Sequence, residues 1–322
     1  MNVWFAPLEG ITDAIFRRTH HQCFAGIEKY YIPFVSPTQN MCFTARELNA
    51  IAPEVNEGVP VVPQLLGKDP QLLHWAMREL KAMGYQEVNL NIGCPSGTVT
   101  AKGKGSGLLR ETDALRRLLD GLFDHAPIPI SIKTRIGFAD EDEWPALLEL
   151  LLQYPMQELI IHPRTRKDFY KGPLHPAAFR LAAQQDTVPL VYNGDLFSTT
   201  DCTDTLHSYP HLKALMIGRG LIANPAMAQA LCGGSNLTAD ALRDFHHQLC
   251  ENYSRRYPAS QVHRRLREVM KYAACCFEDA SKPLKAIRKA PDLQAHQQAV
   301  DWLLRDFSLK DNPGYEPAAW LV

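Results

Sequence analysis

Short aliphatic or β-branched runs alternate with stretches of helical periodicity through the first two thirds of the chain. The runs are Val3–Ala6, Ile27–Ile32, Pro60–Leu65, Glu87–Ile92, Pro129–Thr134, Glu158–His162, Pro189–Asn193 and Ala214–Gly218. Runs of this length, bounded by Gly, Pro and polar residues, suit strands covered on both faces, as in a parallel sheet. Between them lie helical patterns. In Asp69–Met83 the apolar Leu72, Leu73, Trp75, Ala76, Leu80 and Met83 keep helical spacing, and Gly84 supplies a stop. The apolar run Leu147–Leu152 belongs to a helix whose buried face the periodicity does not assign. Eight β/α repeats in about 230 residues predict an α/β TIM (β/α)8 barrel rather than an open doubly wound sheet, which usually needs five or six strands.

The texture changes after Arg219. Cys232-Gly-Gly-Ser-Asn reads as a linker, and Thr238 or Asp240 is a candidate N-cap for a helix beyond it. From there to Phe307 the pattern is helical, with room for three or four helices. The expected organisation is a barrel domain over 1–235, a smaller all-α helical domain over 236–310 and an irregular tail over 311–322.

Composition narrows the possibilities. Of 322 residues, 46% are hydrophobic and 21% charged, which excludes a disordered or collagen-like chain. No apolar run is long enough to span a bilayer, and Met-Asn-Val-Trp-Phe-Ala-Pro is no secretory leader, so the expectation is a cytoplasmic protein without membrane contact. The eight cysteines form no C-x-x-C pair, which predicts reduced thiols and no bound metal. Lys plus Arg number 34 against 35 acids, so no global field attracts a polyanion. The charge is nevertheless uneven. Arg255 to Lys289 holds ten basic residues, Arg264, Arg265 and Lys271 among them, against three acids, a net of +7. Such a segment suits either a solvated helical face or a grip on the phosphates of a polyanion.

Polar residues fall where the strands end. Glu9, Gln64, Asn91 with Cys94, Lys133 with Arg135, His162 with Arg164, Asn193 with Asp195, and Arg219 all follow apolar runs. In a TIM barrel these positions form the active site. Cys94 stands between Gly93 and Pro95, which excludes it from a regular helix or central strand and displays its thiol at the barrel mouth. Lys133, flanked by strand residues, requires an anion. Asn193-Gly-Asp and Gly218-Arg-Gly follow the seventh and eighth strands, where phosphate sites commonly form. The glycines around Lys104 are a weaker sign of a phosphate loop, matching neither common fingerprint.

Taken in order, Ala6-Pro-Leu-Glu-Gly, Gln64-Leu-Leu-Gly, Asn91-Ile-Gly-Cys-Pro-Ser, Ser131-Ile-Lys-Thr-Arg, His162-Pro-Arg-Thr-Arg with Tyr170-Lys-Gly, Asn193-Gly-Asp and Ile217-Gly-Arg-Gly resemble the tRNA-dihydrouridine synthases. The motifs span most of 1–225, whereas the helical region is similar in kind more than in residues. The resemblance implies an FMN enzyme, reduced by NADPH, that saturates the C5=C6 bond of uridines in tRNA; a monomer is expected. It implies that Pro7, Leu8, Glu9, Gln64, Lys133 and His162 line the flavin, and that Asn193, Gly194, Asp195, Gly218 and Arg219 hold its ribityl phosphate. Cys94 would give a proton to C5 while hydride reaches C6. Asn91, Arg164 and Tyr170, with His162 also at hand, would position the uracil, and Arg264, Arg265 and Lys271 would hold the RNA.

Three departures stand out. Leu8 replaces a frequent Met, Pro163 follows His162 where Gly is usual, and Gly97-Thr98 replace a commonly basic position, leaving Lys102 or Lys104 as substitutes. Two rivals compete: an FMN barrel acting on a free pyrimidine or small enone, and a non-enzymatic RNA-binding relative.

Overall fold

The computed structural model describes residues 1–317. Eight parallel strands close in chain order: β1 Val3–Phe5, β2 Ile27–Val35, β3 Val61–Leu65, β4 Val88–Ile92, β5 Ile130–Gly137, β6 Leu159–Thr165, β7 Leu190–Tyr192 and β8 Ala214–Ile217. The Ala6 N–H donates to the Ile217 carbonyl at 2.8 Å at the seam. The architecture is the TIM barrel, and parallel order gathers every C-terminal strand end at one rim.

The eight expected strands are all present, with shifted ends. Three run past their apolar stretches, the first of them β2, which reaches Val35. β5 reaches Gly137 and β6 reaches Thr165, pairing Arg135 with His162 and Gly137 with Thr165. One extra residue of β6 fits between those pairs, a bulge that accommodates Pro163, which has no N–H for the ladder. The bulge carries the pairing onward into polar sequence.

The helix expected at 69–83 spans Pro70–Ala82, because the Asp69 carboxylate caps it by accepting from the Gln71 and Leu72 N–H groups at 2.9 and 3.3 Å. Leu72, Leu73, Ala76, Met77 and Leu80 face inward. The 147–152 run lies mostly in the helix Trp144–Leu151, which buries Leu147, Leu148, Leu150 and Leu151. So broad a buried face explains why no periodicity showed.

The chain forms two compact units. One comprises Tyr31–Gly194 and Tyr209–Met216. Its core joins strand residues such as Ile92, Ile132 and Ile161 to helix residues such as Leu73, Leu119 and Leu147, all nearly inaccessible to solvent. The other comprises Met1–Tyr30, Asp195–Ser208 and the chain from Ile217 on. Here Phe5, Phe16, His20, Phe24, Tyr30 and Phe245 form an aromatic cluster with ring centroids 5.1 to 6.0 Å apart. Beyond the linker, four α-helices are found among the described residues: Ala239–Ser254, Ala259–Ala273, Ser281–Lys289 and Leu293–Asp306. Thr238, not Asp240, is the N-cap, its hydroxyl accepting from the Ala241 N–H at 3.1 Å. Of the tail expected at 311–322, residues 311–316 are irregular, and 318–322 lie outside the described residues. No helix among those described is long and apolar enough to cross a membrane.

Candidate active site

Within the unit of Tyr31–Gly194, the site starts from four buried amide and hydroxyl side chains on three adjacent strands. Asn89 Nδ2 donates to Ser131 Oγ at 2.9 Å, Gln64 Nε2 to Asn89 Oδ1 at 2.8 Å, and Asn91 Nδ2 to Gln64 Oε1 at 2.7 Å. Such groups are costly to bury singly and rigid when each satisfies the next. The chain of bonds ends at the turn after β4, where Asn91 Oδ1 accepts from the Gly93 and Cys94 N–H groups at 3.0 and 2.9 Å. Asn91, expected to touch substrate, therefore shapes the cysteine loop. Gln64, expected at the flavin, bonds at both ends of its amide within the protein.

Cys94 is gripped from two further directions. Ser106 bonds the Cys94 carbonyl through both its N–H, at 3.1 Å, and its hydroxyl, at 2.8 Å. Arg135 Nε donates to the Gly93 carbonyl at 3.1 Å and Nη1 to the Thr165 carbonyl at 2.7 Å. Gly105 closes the loop at φ +56°, and a Cβ there would lie 3.1 Å from the Cys94 Cβ. The Cys94 side chain remains half-buried, whereas Cys202 and Cys276 are buried. Burial and then Asp201 push the Cys202 thiol up to about 12.

Lys133 pairs with Asn91 in the β4–β5 register. Its ammonium takes no hydrogen bond or ion pair among the described residues. Burial, followed by the Arg135 charge, pulls it down from 10.5 to about 7, against a smaller opposite influence of Cys94. On β6, Arg164 Nη1 lies 3.3 Å from His162 Nε2, and Arg164 Nε donates to the Gly172 carbonyl at 2.8 Å. Arg can only donate, so His162 Nε2 accepts there. The Tyr170 ring stands 6.3 Å from the His162 ring and 5.2 Å from the Arg135 guanidinium, and is 54% exposed. The structure thus gathers Gln64, Asn91, Cys94 and Lys133 in one group, and His162, Arg164 and Tyr170 in another. Asn193 Nδ2 donates to the Met216 carbonyl at 2.8 Å, and Gly194 is buried against Leu174, Pro163 and Tyr192.

The other unit carries Pro7, Leu8, Glu9, Asp195, Gly218 and Arg219. Thr12 ties the β1 turn through its hydroxyl, which accepts from the Leu8 N–H at 2.9 Å. Gly218 packs beside Leu8 and Ala6, and a Cβ on Gly220 would fall 2.2 Å from the Leu196 carbonyl oxygen, so no other residue fits at 220. Arg219 bonds Asp195 at 2.8 Å and lies 4.9 Å over Phe197 and 5.3 Å over Tyr315. Among the basic helical residues, Arg264 is exposed, Arg265 reaches Asp13 at 3.5 Å and stacks 4.3 Å over Tyr257, and Lys271 pairs with Glu268 at 2.7 Å.

Sequence reading missed the role of Asn89 and Ser106, and gave Arg135 only a place at a strand end. Asn89 sits in an apolar run two residues before Asn91, and that polar alternation was the available signal. Ser106 had none, because its bond depends on how the loop folds back.

The family model described as dihydrouridine synthase (Dus) matches residues 4–309. The chain belongs to the dihydrouridine synthase family. The synthase is 30% identical over 231 residues to tRNA-dihydrouridine synthase B of Vibrio cholerae serotype O1, covering 71% of this chain and 70% of that one. It is 28% identical over 228 residues to a probable tRNA-dihydrouridine synthase of Staphylococcus aureus (strain COL), covering 68% of each. Among solved structures the synthase resembles morphinone reductase, with a TM-score of 0.52 at 12% identity over 74% of this chain and 87% of that one. It also resembles the old yellow enzyme homologue from Zymomonas mobilis, with a TM-score of 0.52 at 13% identity over 76% and 92%. At such identities these two show a shared barrel only.

Proposed function

We propose that this synthase reduces the C5=C6 bond of a uridine in tRNA to dihydrouridine, with FMN as its prosthetic group and NADPH as reductant. The observation that carries the reading is the Cys94 loop: a half-buried thiol fixed by backbone bonds from Asn91, Ser106 and Arg135, beside an unpartnered lysine. The arrangement suits proton delivery at a defined atom.

The residues fit a flavin. Lys133 is a cation drawn out of water with no partner of its own, and an anionic ring edge beside it would meet that need. Pro7, Leu8 and Glu9 are assigned to line the ring with Gln64 and His162, and Asn193, Gly194, Asp195, Gly218 and Arg219 to hold the phosphate arm. When bound, the group supplies the hydride that goes to C6. Cys94 supplies the proton to C5. A protonated thiol held at a fixed position can act as the general acid for that step. Asn91 fixes the sulfur's loop, while His162, Arg164 and Tyr170 are assigned to the uracil. The base must leave its stack to be reached, and Arg264, Arg265 and Lys271 are assigned to hold the RNA meanwhile.

The test is Cys94→Ala, assayed for dihydrouridine in unmodified tRNA and for flavin absorbance in the purified protein. Product should fall by about a hundredfold or more, the usual scale of a lost general acid, with flavin retained. Unchanged turnover would refute the acid role, and a colourless wild-type protein would refute the flavin.

A further inference from the structure

A second cluster of positive charge lies close to Cys94. Gly67, Lys68, Asp69 and Lys104 are among the residues lining an open cavity of about 470 Å³ within the unit of Tyr31–Gly194, two cations against one carboxylate. Lys102 adds a third cation, its charge acting on Lys104 together with that of Lys68. A Cβ on Gly103, between Lys102 and Lys104, would stand 3.7 Å from Lys68 Nζ, so the chain folds these amines toward one another. Lys104 Nζ donates to Ser36 Oγ at 2.8 Å.

Among the described residues, none of the three lysines forms an ion pair with a carboxylate. The two nearby acids are otherwise engaged. Asp69 accepts from the Gln71 and Leu72 N–H groups, and Glu47 accepts from the Ser36 and Thr44 N–H groups at 2.8 and 2.9 Å. Three cations against the carboxylates of Asp69 and Glu47 leave an excess of positive charge, which a bound anion relieves. Burial is the largest influence lowering the Lys104 ammonium, followed by the Lys102 and Lys68 charges, against a raising influence from Glu47.

Position identifies the anion. Lys104 is followed directly by Gly105 and Ser106, which pack on Cys94 and bond its carbonyl. A nucleotide whose base faces the Cys94 sulfur carries its phosphates one or two backbone steps away. We propose that Lys68, Lys102 and Lys104 form a phosphate clamp for the RNA strand flanking the target uridine. The clamp rests on the function proposed above and adds to it the residues that hold the strand beside the proton donor. It also gives the basic position vacated at Gly97-Thr98 a replacement made from distant parts of the sequence.

The experiment measures binding of an unmodified tRNA transcript to the holoenzyme across a potassium chloride series, for wild type, the double variant Lys68→Gln/Lys102→Gln and the triple variant adding Lys104→Gln. Lys68 and Lys102 are exposed, so the double variant tests the proposal even where Lys104→Gln disturbs the loop. Each lost phosphate contact should flatten the slope of log affinity against log salt by about 0.7 to 0.9. Arginine at the same positions should restore it. Slopes equal to wild type in both variants would overturn the clamp while leaving the synthase reading intact. A wild-type enzyme that neither binds nor modifies tRNA would overturn both. A raised KM for NADPH but not for NADH, with unchanged RNA slopes, would assign the lysines to the reductant's 2′-phosphate and overturn the RNA assignment.

Discussion

Replacing Lys133 by Met keeps most of the side-chain volume and removes its charge. In wild type the ammonium is pulled down from 10.5 to about 7, chiefly by burial and then by Arg135. Before solvent screening, keeping it charged in the folded state costs about 5 kcal/mol. The side chain is only half-buried by accessible surface, so solvent screening reduces this to about 2–3 kcal/mol. The sign comes from linkage. The folded-state value lies below the unfolded one, so the penalty is complete below pH 7 and disappears as pH rises from 7 to 10.5. Urea unfolding of flavin-stripped protein at pH 6 should find Lys133→Met more stable than wild type by about 2 kcal/mol, with equal m-values. The gap should narrow steadily up to pH 10. With FMN restored the order should reverse, because the variant loses the partner assigned to the ring. A Met variant that is less stable at pH 6, or a gap that ignores pH, would refute the view of Lys133 as a desolvated cation awaiting an anion.

Asn91→Leu removes the acceptor for the Gly93 and Cys94 N–H groups and should cost about 2–4 kcal/mol in thermal unfolding and lower kcat strongly. Asn91→Asp keeps that acceptor and should retain more kcat, and equal damage in both would contradict the loop-fixing role. Arg264→Glu, at an exposed position, should weaken tRNA binding about tenfold at low salt with stability unchanged, whereas Arg265→Glu should also destabilise because it loses Asp13 and Tyr257. His246 and His296 meet at 3.3 Å inside the helical region, and burial lowers them to about 4 and about 3, with His247 acting further on His246, and His246, His263 and Arg267 on His296. Stability should therefore fall as pH drops below 6.5, by about 3–4 kcal/mol from the pair by pH 5, and His296→Leu should make that decline shallower.

The barrel was legible because eight apolar runs recur at barrel spacing and polar residues stand at their ends. What escaped was whatever depends on the third dimension. The ends of β5 and β6 pass into sequence that reads as loop, because a bulge at Pro163 rescues pairing that composition would deny. Asn91 and Gln64 stood out as candidate site residues by address. Their engagement with each other and with Asn89 was not, since hydrogen-bond partners on neighbouring strands leave no mark along the chain. Arg264 and Arg265 read alike as neighbours in a basic segment, yet one faces solvent and the other is held by an acid from residue 13 and a tyrosine ring.

The loop of Cys94 is anchored at peptide groups: its own N–H, its own carbonyl, and the carbonyl of Gly93. Peptide groups are present whatever side chains surround them. Neighbouring positions can therefore drift through many substitutions without displacing the sulfur, provided the three anchoring residues keep their reach. A sulfur suspended in this way tolerates a diverging scaffold around it.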